Sequence, residues 1–176
     1  METGDNVLIG GIIITGSQPK RMMLRAIGPS SGVAGALLDP RLELYSGEEL
    51  LVANDNWEEA PNKDEIIDST IAPSNDRESA ILITLPPNLY TAIVSGVNGT
   101  TGVGVVEAYD LDRSVDSKFA NIATRGLVQA GDNVMIGGFI ILGDTSQKML
   151  MRAIGPSLGI AGQLEDPVLE LVDSNG

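Results

Sequence analysis

The sequence predicts an all-β protein, an antiparallel β-sandwich of the jelly-roll or immunoglobulin-like kind. The apolar content consists mainly of Ile, Leu, Val and Ala, and aromatic residues make up only 3% of the chain. Twenty-one glycines punctuate the sequence. The apolar runs are short, and turn signals separate them at the spacing that is typical of antiparallel sandwiches.

An internal repeat organises the chain. The segment Gly4–Glu49 aligns without gaps with Gly131–Gly176, and 26 of the 46 positions are identical. Nothing else in the chain repeats Leu50–Ala130. Self-similarity at a fixed period is the signature of repeated structural units. We therefore predict about 1.4 copies of a 127-residue repeat, with a sandwich module that lacks its first strand at residues 1–116 and the first half of a second copy at residues 117–176.

The elements of the first copy follow from its apolar runs. The stretch GPSSGVAGALLDP is rich in glycine and too broken for a helix, so we expect it to wrap around one end of a sheet. Residues 64–70 have room for one or two helical turns in a polar loop that holds the only Trp. The predicted strands of the first copy are Val7–Thr15, Met22–Ile27, Arg41–Tyr45, Leu50–Ala53, Ser79–Leu85, Leu89–Val97 and Gly102–Leu111.

Turn signals join several of these strands. Ser46-Gly47 indicates a hairpin between the third and fourth strands, and Asn98-Gly99 predicts a two-residue hairpin between the last two. A charged linker follows at 112–118. Phe119–Val128 is then predicted as the opening strand of the second copy, leading into a strand at Val134–Leu142.

Composition excludes several classes of function. The formal net charge is −13 and the 11 basic residues are scattered, so nucleic acid and acidic membrane surfaces are poor partners. The chain has no Cys and no His, which excludes disulfides, zinc–thiolate sites and catalysis that depends on either residue. No apolar run approaches membrane-spanning length, so membrane insertion is not expected. The opening Met-Glu-Thr-Gly is not a signal segment, and we expect a piece of a longer array or a mature or recombinant segment, with a short cytosolic protein as the alternative.

The middle of the chain resembles a known family. The stretches DPRLELYSGEELLVANDNW, ESAILITLPPNLYTAIVSG and TGVGVVEAYDL resemble the bacterial pre-peptidase C-terminal domain over Asp39–Leu111, with Asn88 in place of the usual Gly. With GDNVMIGGFII and RAIGPSLG included, the whole unit is similar to tandem modules of large surface proteins in bacteria such as Verrucomicrobia. The resemblance implies a jelly-roll-like sandwich, an extracellular or cell-surface location and a binding or spacer role. It supplies no catalytic residue.

An oxygen-rich loop is the candidate metal site. Ca²⁺ takes six to eight oxygen ligands, including carboxylates and amide carbonyls, and such an ion would pin the loop to the sandwich. The alternative is that Asn and Asp form local turns with their own backbone. The candidate Ca²⁺ ligands are Asn54, Asp55, Asn56, Asp64, Asn75, Asp76 and Glu78.

The sequence RAIGPS occurs in both copies, at Arg25–Ser30 and at Arg152–Ser157. Without a histidine to activate either serine, we interpret the Gly-Pro-Ser motif as a turn rather than a nucleophile. Each arginine lies in an apolar strand and needs a carboxylate. We expect Arg25 and Arg152 each to form a structural ion pair with a nearby Asp or Glu, and Asp39 and Asp166, which each precede a proline, are the natural candidates.

These observations favour a non-enzymatic extracellular module that self-assembles, or forms repetitive surface or fibre arrays, through β-strand pairing between copies. Its partners would then be other copies of itself, arranged head to tail or swapped. The alternative hypothesis is a calcium-dependent or carbohydrate-binding accessory module of a larger secreted enzyme or adhesin, with polysaccharide as the partner.

Overall fold

The computed structural model describes residues 1–173, apart from the side chains of Asp5 and Asp132. The chain divides into two compact units, Met1–Leu127 and Val128–Gly176. We call Met1–Leu127 the sandwich unit, and we call the described part of the second, Val128–Asp173, the repeat unit.

The sandwich unit is an antiparallel β-sandwich, which confirms the predicted fold class. Its strands are β1 (Leu8–Thr15), β2 (Lys20–Ile27), β3 (Pro40–Ser46), β4 (Glu49–Asn54), β5 (Ser79–Leu85), β6 (Leu89–Gly96), β7 (Val105–Asp110) and β8 (Lys118–Arg125). One sheet has the order β4-β3-β6-β1-β8 and the other has the order β5-β2-β7. All six strand pairings are antiparallel.

The main core lies between the two sheets. On β2, alternate residues Met22, Leu24 and Ala26 belong to this core, as the period of two in a strand requires. Burying one such aliphatic side chain contributes roughly 1.5–3 kcal/mol. The other core residues come from β1, β3, β5, β6 and the loop before β3: Ile12, Ile14, Leu37, Leu42, Leu44, Ile81, Leu85, Tyr90, Ala92 and Val94.

A second, smaller cluster lies on the opposite face of β2 and β5. Met23 packs there with Trp57 and with Ile66 of helix α1 (Lys63–Asp68), so the polar loop covers the outer face of the three-stranded sheet. The helix confirms the predicted helical turns in this loop. None of the helices in residues 1–173 is long and apolar enough to cross a membrane.

The predicted hairpin at Asn98-Gly99 is wrong. Asn98 has φ 54° and Gly99 has φ 72°, so the turn geometry is present. However, β6 already lies between β3 and β1, and no free edge is left for β7. The turn therefore carries the chain into the other sheet, where β7 pairs with β2.

The predicted elements around residues 119–142 also differ from the structure. The strand assigned to the second copy is β8, which lies in the sandwich unit and pairs with β1. The predicted strand at Val134–Leu142 is not formed. From Val128 to Asp173 the regular elements are two short 3-10 turns, Gly131–Asn133 and Pro156–Leu158.

Strand order explains why the repeat unit lacks strands. In the sandwich unit, β1 lies between β6 and β8, β2 between β5 and β7, and β3 between β4 and β6. None of the three pairs with another of the three. A segment that carries only these three strands has no ladder partners, and unpaired backbone groups do not form a sheet.

Candidate functional site

A buried glutamate and the Gly-Pro-Ser loop form a polar junction. The Glu78 carboxylate is fully buried at the start of β5. Its Oε1 accepts hydrogen bonds from the Gly28 N–H at 2.9 Å and from the Ser30 N–H at 2.8 Å. The Ser30 hydroxyl lies 2.6 Å from both carboxylate oxygens. The motif predicted as a plain turn is therefore a carboxylate-binding loop, and charge-assisted bonds of this kind are among the stronger ones in proteins.

The local sequence sets the shape of this loop. Gly28 adopts φ −132° and ψ −84°, and a Cβ at this position would lie 1.9 Å from the backbone oxygen of Leu37. Pro29 then begins a 3-10 turn that Gly32 ends in the left-handed conformation. A side chain at residue 28 has no room, so glycine is required for the close approach.

Three further hydrogen bonds hold the start of β5 against the other sheet. The Ser79 hydroxyl donates to the backbone oxygen of Pro40 and lies 2.9 Å from that of Asp55. The Ala80 N–H donates to Asn54 Oδ1 at 2.9 Å. We call residues 28–30, 40, 54–55 and 78–80 together the Glu78 junction.

The Glu78 junction joins two parts of the sequence. Gly28, Ser30 and Pro40 belong to the segment that is repeated, whereas the glutamate and its neighbours belong to the part that is not repeated. The junction is therefore a polar contact between the two halves of one repeat. Sequence reasoning missed this role, although the identity of RAIGPS in both copies was a signal that the motif does more than turn the chain.

The seven candidate calcium ligands have different surroundings. Asn54 also donates from Nδ2 to the backbone oxygen of Asn56 at 2.9 Å, and Asn75 Oδ1 accepts from the Arg77 N–H at 3.0 Å. Asp64 and Asp76 are exposed. Among the side chains that the structure describes, no three His, Cys, Asp or Glu residues are grouped so that they could hold a metal ion. Calcium binding stays a prediction.

Asp55 has an unusual environment among these seven. Its Oδ1 atom and that of Asp39 are buried and have no hydrogen-bond partner in the described part of the chain. Burial raises the pKa of Asp55, the charges of Asp39 and Glu59 raise it further, and Arg41 lowers it. The ionised form of Asp55 therefore destabilises the folded state, because folding removes it from water and places it near other carboxylates.

We expect Asp55→Asn to raise the melting temperature in the presence of a chelator. The gain in free energy of unfolding should stay below about 1 kcal/mol, because the side chain is only partly buried. Since the folded pKa is raised, the wild-type penalty is absent below the ordinary value of 3.8 and develops as the pH rises through the folded pKa. Calorimetry at pH 3 and pH 7 measures this, with the exposed Asp68→Asn, which is not a candidate ligand, as control.

Calcium provides the second arm of the same experiment. If Asp55 is a ligand, millimolar Ca²⁺ raises the melting temperature of the wild type and not of Asp55→Asn. A lower melting temperature for Asp55→Asn in chelator at pH 7 would contradict the electrostatic argument.

The expected pairing of Arg25 with Asp39 is wrong. Antiparallel register places Arg25 of β2 opposite Glu107 of β7. The guanidinium Nε and Nη2 lie 2.8 Å and 2.5 Å from Glu107 Oε2, and the group lies 5.0 Å from the centre of the Tyr109 ring. Burial raises the pKa of Tyr109, and Glu107 raises it further. Arg25 therefore pairs with a cross-strand neighbour rather than with the carboxylate nearest in sequence. The corresponding Arg152 is exposed.

The repeat unit keeps the loop of the Glu78 junction. Gly155 has φ −126° and ψ −85°, close to the values at Gly28. A Cβ on Gly155 would lie 2.1 Å from the backbone oxygen of Leu164, the counterpart of Leu37. The Leu158 N–H donates to the Gly155 oxygen at 2.9 Å.

No protein-family model, curated protein or solved structure matches the chain. The fold and the junction define an antiparallel β-sandwich in which a buried carboxylate ties the two halves of a repeat together. The resemblance to the pre-peptidase C-terminal domain stays a prediction.

Proposed function

We propose that this protein is a non-enzymatic structural module of repetitive extracellular arrays, in which copies associate through the repeat unit. The observation that carries the proposal is that the repeated sequence is buried in the sandwich unit and exposed to solvent in the repeat unit. Side chains that form the core of the sandwich unit have counterparts in the repeat unit that are open to solvent. The exposed fractions are 0% for Met23, Leu42 and Leu44, against 85%, 54% and 65% for Leu150, Leu169 and Leu171.

This exposure favours association. A fully buried Leu or Met stabilises a fold by roughly 1.5–3 kcal/mol, and the repeat unit gains little of that energy by itself. Large exposed apolar patches in proteins mark surfaces that bind other proteins. Ile136, Ile140 and Val168 are further apolar side chains of the repeat unit, with exposed fractions above four fifths.

Composition and resemblance support the remaining parts of the proposal. The chain has no histidine or cysteine, and the Gly-Pro-Ser serine of the sandwich unit is held by the Glu78 carboxylate. An acidic chain without cysteine suits a bacterial surface array, and the similarity of the whole unit to tandem surface modules points the same way. The extracellular location rests on that similarity.

Removing residues 128–176 is expected to abolish association. The remaining chain keeps all eight strands and the Glu78 junction, so we expect it to stay folded and monomeric. The full chain should show a sedimentation coefficient that rises with concentration between about 10 and 500 µM, a range chosen because weak contacts dissociate at low concentration.

A full-length control separates the apolar surface from chain length. Leu169→Asp with Leu171→Asp places charges on the exposed patch, and this double variant should sediment as a monomer. A wild-type chain that stays monomeric at the highest concentration would contradict the proposed function.

A further inference from the structure

We infer that the repeat unit is a receptor for a segment of the Leu50–Leu127 type, and that a glutamate of this segment docks in the Gly155–Ser157 loop. The inference rests on the proposed function, because it identifies what completes the exposed repeat unit. It goes further in naming both the partner segment and the residue that fixes its register.

The sandwich unit shows which kind of segment the repeated sequence accepts. In that unit the strands of residues 4–49 are each flanked on both sides by strands from residues 49–125. The two halves therefore interleave, because the five strands β4 to β8 of one half lie on both sides of the three strands β1 to β3 of the other. Addition of a single strand at one edge would leave most of the ladder unpaired, so the occupant must supply strands equivalent to β4 through β8.

The loop of the repeat unit is already shaped for the glutamate. The backbone angles of Gly155, the close approach to the Leu164 oxygen and the 3-10 turn at Pro156–Leu158 match those of the loop that holds Glu78. Gly, Pro and Ser are identical in the two motifs. The occupant is thus expected to carry a glutamate directly before its second strand, as Glu78 stands before β5.

Stoichiometry limits where this segment comes from. Within residues 1–176 the three-strand half occurs twice, at residues 4–49 and 131–176, and the segment of residues 50–127 occurs once. If two copies of this protein exchange their five-strand segments, each exchange completes one three-strand half and leaves another three-strand half without its partner strands. Contacts between the repeat units of two copies cover apolar surface, but they do not provide the strands with which a repeat unit would pair. The receptor is therefore completed by an additional segment with the chemistry of Leu50–Leu127.

A chain extended by its own sequence tests the inference. Gly176 aligns with Glu49, so a second copy of Leu50–Leu127 fused after Gly176 continues the repeat in register. We expect residues 134–172 to change from unprotected to protected in amide hydrogen exchange. The β-sheet signal in circular dichroism should rise by about the contribution of one more sandwich, since exchange protection and sheet formation report the same ladder.

Variants of the extended chain test the glutamate separately. Glu78→Ala in the appended copy alone should accelerate exchange of residues 134–172 by roughly a hundredfold, because two backbone donors and a hydroxyl lose their acceptor. Ser157→Ala, which changes only the receptor, should accelerate it by about tenfold. In both variants residues 8–125 serve as the internal control and should keep wild-type protection.

Two results would overturn the inference. Residues 134–172 that exchange as fast in the extended chain as in the wild type would show that this segment is not the occupant. Equal protection with and without the appended glutamate would show that the loop does not recognise it. The oligomeric state of the 176-residue chain is measured independently, so failure of the proposed function is distinguishable from either result.

Discussion

Replacing Glu78 with alanine is expected to lower the free energy of unfolding of the sandwich unit by about 3–5 kcal/mol. The substitution removes the acceptor of the Gly28 and Ser30 N–H groups and of the Ser30 hydroxyl. The carboxylate is fully buried, so the cost of leaving these donors unsatisfied is added to the lost bonds. A loss of this size is a large fraction of the stability of an ordinary domain.

The only Trp of the chain makes the measurement direct. Trp57 donates its backbone N–H to the backbone oxygen of Glu78 at 2.8 Å and is buried, so its fluorescence reports unfolding at the junction during urea denaturation. Glu48→Ala, at an exposed glutamate in the turn before β4, is the matched control and should change stability by less than about 0.5 kcal/mol. Glu78→Gln keeps the shape of the side chain and one acceptor, so its loss of stability should lie between those of Glu78→Ala and Glu48→Ala. A loss below about 1 kcal/mol for Glu78→Ala would contradict the structural role, since one net hydrogen bond is worth that much.

Local sequence was sufficient to place most strands and turns of the sandwich unit. The predicted strand at Ser79–Leu85 coincides with β5, and the run predicted at Val7–Thr15 differs from β1 by one residue. Apolar periodicity and glycine turns report whether a segment is extended, and this is a property of the segment itself.

Pairing partners could not be predicted in the same way. The Asn98-Gly99 turn has hairpin geometry, yet the strands on its two sides belong to different sheets. The partner of Arg25 is Glu107, which is 82 residues away in sequence. These contacts depend on strand order, and strand order follows from the packing of the whole sandwich rather than from any local pattern.

In the candidate site, too, local features could be predicted from the sequence but the contact partners could not. Sequence analysis found Glu78 as part of an oxygen-rich loop, but assigned it to a metal because hard cations prefer such oxygens. In the fold its carboxylate meets the backbone of a loop 50 residues earlier in the chain. Side-chain types alone do not show this role of the Gly-Pro-Ser motif, since two of its three donor groups are backbone N–H groups.

The repeat unit separates local from tertiary effects within one molecule. Its loop at Gly155–Ser157 keeps the geometry of the first copy because glycine and proline restrict the backbone locally. Its strand sequences do not form strands in the described part of the unit, because all their ladder partners lie in the half that has no second copy. The geometry of this loop can therefore be predicted from its own residues, whereas a strand of this interleaved fold forms only when the complementary half is present to pair with it.

A matched pair of glycine substitutions is expected to destabilise the sandwich unit in one case and to leave its stability nearly unchanged in the other. Gly28→Ala places a Cβ 1.9 Å from the Leu37 oxygen, so the backbone must move. That movement shifts the Gly28 N–H away from the Glu78 carboxylate. Crowding costs about 1–3 kcal/mol and each disturbed charge-assisted bond about 1.5–3 kcal/mol, so we expect a loss of about 3–5 kcal/mol in the urea titration.

Gly155→Ala is equally crowded, with a Cβ 2.1 Å from the Leu164 oxygen, but lies outside the sandwich unit. The unfolding curve followed through Trp57 should therefore move by less than about 0.5 kcal/mol. Equal losses for the two variants would show that the repeat unit contributes to the stability measured in the sandwich unit. If only Gly28→Ala is destabilising, the same six residues have been tested with and without their carboxylate, and the difference measures what the occupied junction contributes.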